Sequence, residues 1–339
     1  MEICELKSID EKKWDEYVFN HPQSTFYHQL GWKRVIEKSY GHKSYYFLAK
    51  EDDEIIGVLP MFLFKNLVFG RKLISVPFAP YGGAVGNVAA VRALIDHAFK
   101  LAKELDVEYL ELRSKGNSSN LLTTSLYTTS ILKLDPNPDV VWKERLTRNK
   151  RKNIVKSQKR NLNIQFSNEI EEFYKIFAIN MRDLGSPMHS KIFFTNILHE
   201  FPDSSKTQIV SLDKKPLYAA FYIFYKNTMI NSWSSTLEEY RNFYPTDGGI
   251  WTAIEYGCLN NYRYYDFGRS QQGSPNMEFK ERWGAETQEL DYQYYLNRGI
   301  KIPDYTSNNQ KRKIFTKIWK RLPLLLTNVI GKSLRKEVP

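Results

Sequence analysis

Tyr265-Asp266-Phe267-Gly268-Arg269-Ser270, followed by Glu278-Phe279-Lys280-Glu281-Arg282-Trp283-Gly284, is the stretch on which the fold of this chain is decided. Tyr264 to Gly268 has the composition of a short strand that enters a loop at the glycine. A strand that ends in Asp, then Gly, Arg and Ser, brings a carboxylate, a guanidinium and a hydroxyl to one rim. Lys280 adds an ammonium held between Phe279 and Trp283. Asp266, Arg269 and Lys280 are therefore the candidate catalytic groups, and Ser270, Phe279 and Trp283 the candidate substrate contacts around them. The same residues also read as a surface turn closed by an ion pair from Asp266 to Arg269 or Lys280.

The elements before this rim alternate in type. A helix is expected over Gly249 to Leu259, preceded by strands at Thr207 to Leu212, Leu217 to Tyr225 and Thr228 to Ser235, with Lys226-Asn227 as a tight turn. Helices are expected at Glu169 to Asp183, at Phe193 to Phe201 and through the basic segment Lys143 to Arg160. Asp135-Pro136-Asn137-Pro138 is a natural boundary. The first half has a similar order. Helices near Asp10 and through Leu30 to Ile36 precede a hairpin around Glu51 to Glu54 and a strand at Lys72 to Phe78. The Pro80-Tyr81-Gly82-Gly83 loop, a helix over Val88 to Leu105 and a strand over Tyr109 to Arg113 follow. The pattern is α/β (α+β), with a mixed sheet flanked by helices in each half. The expected domains are 1–138 and 139–305, followed by a basic amphipathic tail, 306–339, outside both.

Charge refines this division. The 339 residues carry a formal charge of +11, but Lys143 to Arg160 holds nine basic residues and one acid, and so does Lys311 to Pro339. The remaining body is mildly acidic. Two local contacts with anions fit this distribution, and coating of DNA does not. Arg148, Lys150, Arg151 and Lys152 are the candidate phosphate-binding cations of the first block. Gly248 and Gly249, in the loop before the Gly249 helix, would offer backbone N–H groups to an anion or simply cap that helix. Tyr81, Gly82 and Gly83 form a flexible aromatic loop which, with Trp233 and Ser234, suits a channel for a sugar or peptide acceptor. His28, beside Phe26 and Trp32, reads as a packed histidine. The tail, with Trp319, Leu322 and Leu324 to Leu326 among its lysines and arginines and with interruptions at Pro323 and Gly331, suits the surface of an anionic membrane.

Several classes are excluded or disfavoured. Two distant cysteines, Cys4 and Cys258, give no disulfide framework, so a reducing cytoplasm is expected. Met1 to Tyr17 lacks the apolar core of a signal peptide, and no apolar run is long enough to span a bilayer. The six histidines have no zinc-site spacing, so no metal is expected. Neither a G-x-G-x-x-G after a strand nor a P-loop motif occurs.

Seven blocks in order resemble the FemAB family and its GNAT-like acyltransferase relatives, especially the FemAB-type proteins of exopolysaccharide and exosortase (PEP-CTERM) loci. They are Ser24-Thr25-Phe26-Tyr27-His28 with Trp32; Ile56 to Pro60; Val76 to Gly83; Met181 to Pro187; Asp266 to Ser270; Phe279-Lys280 with Trp283-Gly284; and Leu322-Pro323-Leu324 with Gly331. The resemblance implies two tandem GNAT-like domains and transfer of an acyl or aminoacyl group to an amine of a cell-envelope or exopolysaccharide precursor. It implies no permanently bound cofactor, with acyl-CoA or aminoacyl-tRNA as donor and a small-molecule or lipid-linked sugar or peptide precursor as acceptor. The lysine of the family's Phe-Lys segment, thought to stabilise charge around the leaving donor, corresponds to Lys280. The chain departs from the family in lacking the helical-hairpin insertion of the peptidoglycan-bridge enzymes and the pyrophosphate loop of acetyl-CoA enzymes. The alternative reading is a non-catalytic binding module of a membrane-associated polysaccharide assembly system. A cytoplasmic protein, peripheral on the inner membrane face, is the expected location.

Overall fold

In the computed structural model, residues 1–66, 70–114, 121–298, 301–302 and 310–338 are described. Apolar alternation bounded by turn residues produces the strands. In chain order they are β1 (Glu2–Glu5), β2 (Lys43–Glu51), β3 (Glu54–Asn66), β4 (Gly70–Ser75), β5 (Val85–Gly86), β6 (Tyr109–Ser114) and β7 (Leu122–Lys133). They continue as β8 (Asn163–Ser167), β9 (Ser205–Leu212), β10 (Lys215–Tyr225), β11 (Thr228–Thr236), β12 (Tyr264–Gln271) and β13 (Glu286–Leu296). The chain divides into two compact units. One comprises Met1–Tyr127, Glu289–Tyr305 and Lys336–Pro339, and the other Thr128–Gln288 and Thr306–Arg335. The expected boundary at 305/306 lies outside the described residues.

In the first unit, β1 to β4 pair antiparallel in order. The helix Val88–Glu104 then carries the chain over to β6, which lies parallel to β4. This helix buries Ala90, Leu94, Ile95, Ala98 and Leu101 against Leu59, Met61, Leu73 and Leu110, and Asn87 caps it by accepting the N–H of Ala90 at 2.8 Å. The last strand of this sheet comes from far along the chain. β13 pairs antiparallel with β6, from Asp291 opposite Ser114 to Leu296 opposite Tyr109.

The second unit repeats the plan. β8 to β11 pair antiparallel, the helix Pro245–Leu259 crosses over, and β12 returns parallel to β11. β7 lies beside β12, so here the final strand precedes the rest in sequence. The core on one face joins Tyr218, Ala220 and Tyr222 to Ile250, Ala253 and Ile254 of the crossover helix. On the other face Phe221 and Trp233 meet Phe173 and Phe194 from the helices Glu171–Leu184 and Lys191–Glu200.

Three expectations are corrected. The basic segment is not one helix. A wide turn at Val141–Arg145 ends at Leu146, and the helix Arg148–Gln158 starts afresh with Thr147 as its cap. The tail does not stand apart. It forms helices Gln310–Trp319 and Leu324–Glu337, and Thr306–Arg335 belongs to the second unit. Gly331 does not interrupt the second of these helices but lies buried within it, where an added Cβ would come to 3.4 Å from the Trp319 ring and 3.6 Å from Met188. Arg335 Nε donates to His189 Nε2 at 3.1 Å, which requires the neutral imidazole. Burial, and then the Arg335 charge, hold that histidine's pKa well below the ordinary value.

Candidate active site

The paired residues of β11 and β12 are Thr228 to Ile230 against Tyr264 to Asp266, and both strands run on beyond them. The reason is local. Gly268 takes φ +72°, a left-handed conformation suited to glycine, and its N–H turns to Asp266 Oδ1 at 2.7 Å. The same oxygen accepts the Thr129 hydroxyl at 2.7 Å. Asp266 is 1% exposed, so its carboxylate holds the bend from inside. The carbonyls of the bend are held from the other side. Lys280, on the helix Pro275–Glu281, donates to Gly268 O at 2.7 Å and to Arg269 O at 3.1 Å. It is 6% exposed, and its pKa falls to about 8, mainly through burial, which Asp266 opposes and Arg269 reinforces. Ser270 is buried and accepts Asn276 Nδ2 at 3.2 Å, while the Arg269 side chain is half-buried. The structure thus brings Asp266, Arg269, Ser270, Phe279, Lys280 and Trp283 into one strand–bend–helix unit.

Sequence reasoning missed a polar cluster beside this bend. Tyr222 OH lies 3.2 Å from Tyr265 OH, Asn231 Nδ2 donates to Tyr265 OH at 3.0 Å, and Tyr222 OH donates to Gln208 Oε1 at 3.4 Å. Tyr218 OH lies near Tyr222, Asn231 and Ser234 without reaching ordinary hydrogen-bond geometry. Gln208 Nε2, Asn231 Oδ1 and Ser232 Oγ likewise lack hydrogen-bond partners. Burial pushes the Tyr218 hydroxyl up to about 12 and raises that of Tyr222 well above its ordinary value, so these phenols are neutral donors. Tyr218 and Tyr222, four apart on one strand and hence on one face, were the available signal.

A bulge builds this cluster. Phe221 opposes Trp233 but Tyr222 opposes Asn231, leaving Ser232 as the extra residue. Asn231 and Trp233 consequently serve opposite faces of the sheet. Trp233 is half-buried in the aromatic cluster, and its neighbour Ser234 is exposed.

The anion candidates separate into two groups. Lys150 Nζ is buried, 2.7 Å from Asp247 Oδ1, with the Phe279 ring 4.0 Å and the Trp283 ring 4.7 Å away. Its pKa is lowered by burial, against the pull of Asp247. Arg151 donates to the carbonyls of Leu146 at 2.6 Å and Trp142 at 3.1 Å, tying down the turn before its own helix. These two cations are therefore committed internally. Arg148 and Lys152 are exposed, and Lys156 continues their stripe at helical spacing. Gly248 and Gly249 do not precede the crossover helix, which begins at Pro245. Gly248 N–H is bound to Tyr244 O, and Asp247 already supplies a negative charge in the first turn. The two glycines serve packing, since a Cβ would lie 2.2 Å from Ser157 Oγ at position 248 and 2.7 Å from the Tyr218 ring at 249.

Tyr81, Gly82 and Gly83 lie in the first unit, in a loop that is buried and closely tied rather than flexible. Gly82 and Gly83 donate to Arg113 O at 2.9 and 3.1 Å, and Ser75 Oγ donates to Gly82 O at 2.6 Å. His28 Nε2 donates to Gly83 O at 2.8 Å while its Nδ1 accepts the Thr25 N–H, so this histidine is a packed clamp. Among the described residues no group of His, Cys, Asp and Glu is arranged to hold a metal ion.

Residues 145–281, from the basic turn to the helix bearing Lys280, match the family model described as an acetyltransferase (GNAT) domain. Within the second unit this segment is therefore similar to the acetyltransferase domains of the GNAT class. Over most of its length the chain has the FemAB-like tandem GNAT fold. It is similar to the crystal structure of FemX, with a TM-score of 0.66 at 16% identity over 87% of this chain and 97% of that one. It is similar also to the C-terminal domain of a putative lysylphosphatidylglycerol synthetase from Agrobacterium fabrum, at TM-score 0.59 and 9% identity over 85% and 92% of the two chains. A tandem GNAT protein from the clavulanic acid biosynthesis pathway gives a TM-score of 0.52 at 11% identity, over 87% and 98%. No curated protein matches the sequence.

Proposed function

We propose that the second unit transfers an acyl or aminoacyl group to an amine of a cell-envelope or exopolysaccharide precursor. The observation that carries this reading is the buried Lys280 ammonium fastened to the bend at Gly268 and Arg269, inside the segment that matches the GNAT domain. In the reaction the acceptor nitrogen forms a bond to the donor carbonyl carbon and loses a proton. The tetrahedral oxyanion then collapses and expels the donor's thiolate or ribose oxygen. Lys280, with two N–H groups on backbone carbonyls, has a third for that oxyanion or leaving group, and the low-dielectric site strengthens its field. Asp266 is a positioning residue that orients Gly268, and Arg269 adds positive charge at the rim. The tyrosine cluster, with its unfilled donors and acceptors, suits the polar end of the acyl group. Exposed Arg148 and Lys152, with Lys156, suit the phosphates carried by either donor class.

The names of two similar structures, FemX and a lysylphosphatidylglycerol synthetase, favour an aminoacyl donor. Purified protein would be offered amine acceptors with acyl-CoA or with charged tRNA, with and without ribonuclease. Lys280→Ala is expected to lower kcat by about a hundredfold or more, as removal of an oxyanion-site donor does, and Lys280→Arg to restore part of it. Full activity in Lys280→Ala would remove this residue from the chemistry. Abolition of transfer by ribonuclease would assign the tRNA donor.

A further inference from the structure

The tail's two helices use their aromatic residues inward and their aliphatic residues outward. Trp319 is 2% exposed and stacks on Phe315 with ring centroids 5.1 Å apart, while Thr327 and Gly331 are buried in the following helix. Thr316 Oγ1 donates to Gly185 O at 3.3 Å, fastening the first helix to the second unit. What remains outward is unusual for a helix already docked on its domain. Ile314 and Ile318 are 61% and 59% exposed one turn apart, and Leu325 and Val329 are 80% and 69% exposed one turn apart. Leu326 and Ile330 form a third such pair. A docked helix ordinarily shows solvent its polar face. Here both helices and the turn between them show solvent a mixture of aliphatic side chains and cations, since Lys313 and Lys317 of the first helix, Lys320 and Arg321 of the turn and Lys332 of the second helix are exposed as well. Glu337 is the single acidic residue after position 310.

We propose that this face of helices Gln310–Trp319 and Leu324–Glu337 docks on the surface of an anionic lipid bilayer. The aliphatic stripes enter the boundary between headgroups and acyl chains, and the surrounding ammonium and guanidinium groups meet lipid phosphates. Charge complementarity singles out this occupant. A protein partner of ordinary composition would need an acidic rim around an apolar floor, whereas an anionic bilayer offers both at every point. The tryptophan that composition nominates as the interfacial anchor is not part of the contact, because it is consumed in packing against Gly331. No described helix is long and apolar enough to cross a membrane, so the contact is with one face only. The proposal is independent of the acyltransferase reading, since lipid binding requires no turnover.

The test is flotation of the full chain with vesicles of phosphatidylcholine alone and of phosphatidylcholine with phosphatidylglycerol. The wild type is expected to float with the anionic vesicles, to stay behind with the neutral ones, and to be released by high salt. Leu325→Gln with Val329→Gln, and separately Lys317→Gln with Lys320→Gln, should each weaken partitioning by roughly tenfold. Circular dichroism should be unchanged, because all four side chains are exposed. Absence of wild-type binding to anionic vesicles, or binding by both double variants as strong as that of the wild type, would overturn the proposal. So would sedimentation of the lipid-free wild type as a dimer that Leu325→Gln with Val329→Gln dissociates, since the face would then be a self-association surface.

Discussion

An ammonium that is 6% exposed and donates to two carbonyls has exchanged water for a few fixed dipoles, and Lys280 therefore titrates near 8 rather than at its ordinary 10.5. The consequence for stability has a definite sign. Between these two values the unfolded chain holds more protons than the folded one, so the cost of burying the charge is full below pH 8. It is relieved as pH rises towards 10.5. Relative to Lys280→Met, the wild type should gain about 3 kcal/mol of unfolding free energy over this window. Urea denaturation of both proteins at neutral pH and near pH 10 measures it, and parallel pH curves would show that buried Lys280 keeps its ordinary pKa and stays charged. Lys150 is the contrasting case. It too is buried, but it has a carboxylate partner at 2.7 Å, and it is a strut between two helices. Nothing in the sequence separates Lys150 from its exposed neighbour Lys152, because a helix turns successive residues to different sides and the partner Asp247 lies 97 residues away.

At the scale of elements, the contact between helices Arg148–Gln158 and Pro245–Leu259 rests on small residues. Gly248 is where Ser157 comes closest, and an alanine there would bring its Cβ to 2.2 Å from the serine oxygen. Gly248→Ala should therefore destabilise the protein by about 1–3 kcal/mol despite alanine's better helix propensity. Adding Ser157→Ala should recover most of the loss. Denaturant midpoints of the two single variants and the double variant test this, and strict additivity would mean that the steric account is wrong. Most strands and the crossover helices were legible from alternation and from helical periodicity. The bulge at Ser232 was not. Simple alternation puts Asn231 and Trp233 on the same face, whereas pairing with β10 sends one to the tyrosine cluster and the other to the phenylalanine cluster. Register belongs to two strands at once, so one strand's residues cannot supply it.

For the whole molecule, chain order and spatial order part company at β13. Its Asp291 to Leu296 complete the sheet of the first unit by pairing with β6, although they follow Thr128–Gln288 of the second. A fragment of residues 1–138 should consequently expose β6 as an unpaired, buried-type edge and aggregate. The same fragment with residues 286–298 appended through a flexible linker should be soluble and show cooperative melting. Gel filtration and thermal circular dichroism would distinguish the two, and a monomeric, cooperatively folded 1–138 would mean that β13 is dispensable.

By itself the sequence determined the α/β alternation, the two similar halves, the paired +8 charge blocks, and the segment around Asp266 and Lys280 where the chemistry was sought. These follow from local propensity, from periodicity and from residue type, all of which act over a few positions. Tertiary structure alone decided which lysines are internal struts and which face solvent. It decided too that Trp319 packs inward while Ile318 and Val329 do not, that Gly248, Gly249 and Gly331 are contact residues, and that Tyr218, Tyr222, Tyr265 and Asn231 converge. Each of these depends on a partner that is distant in the chain, and burial and hydrogen bonding are properties of the assembled pair.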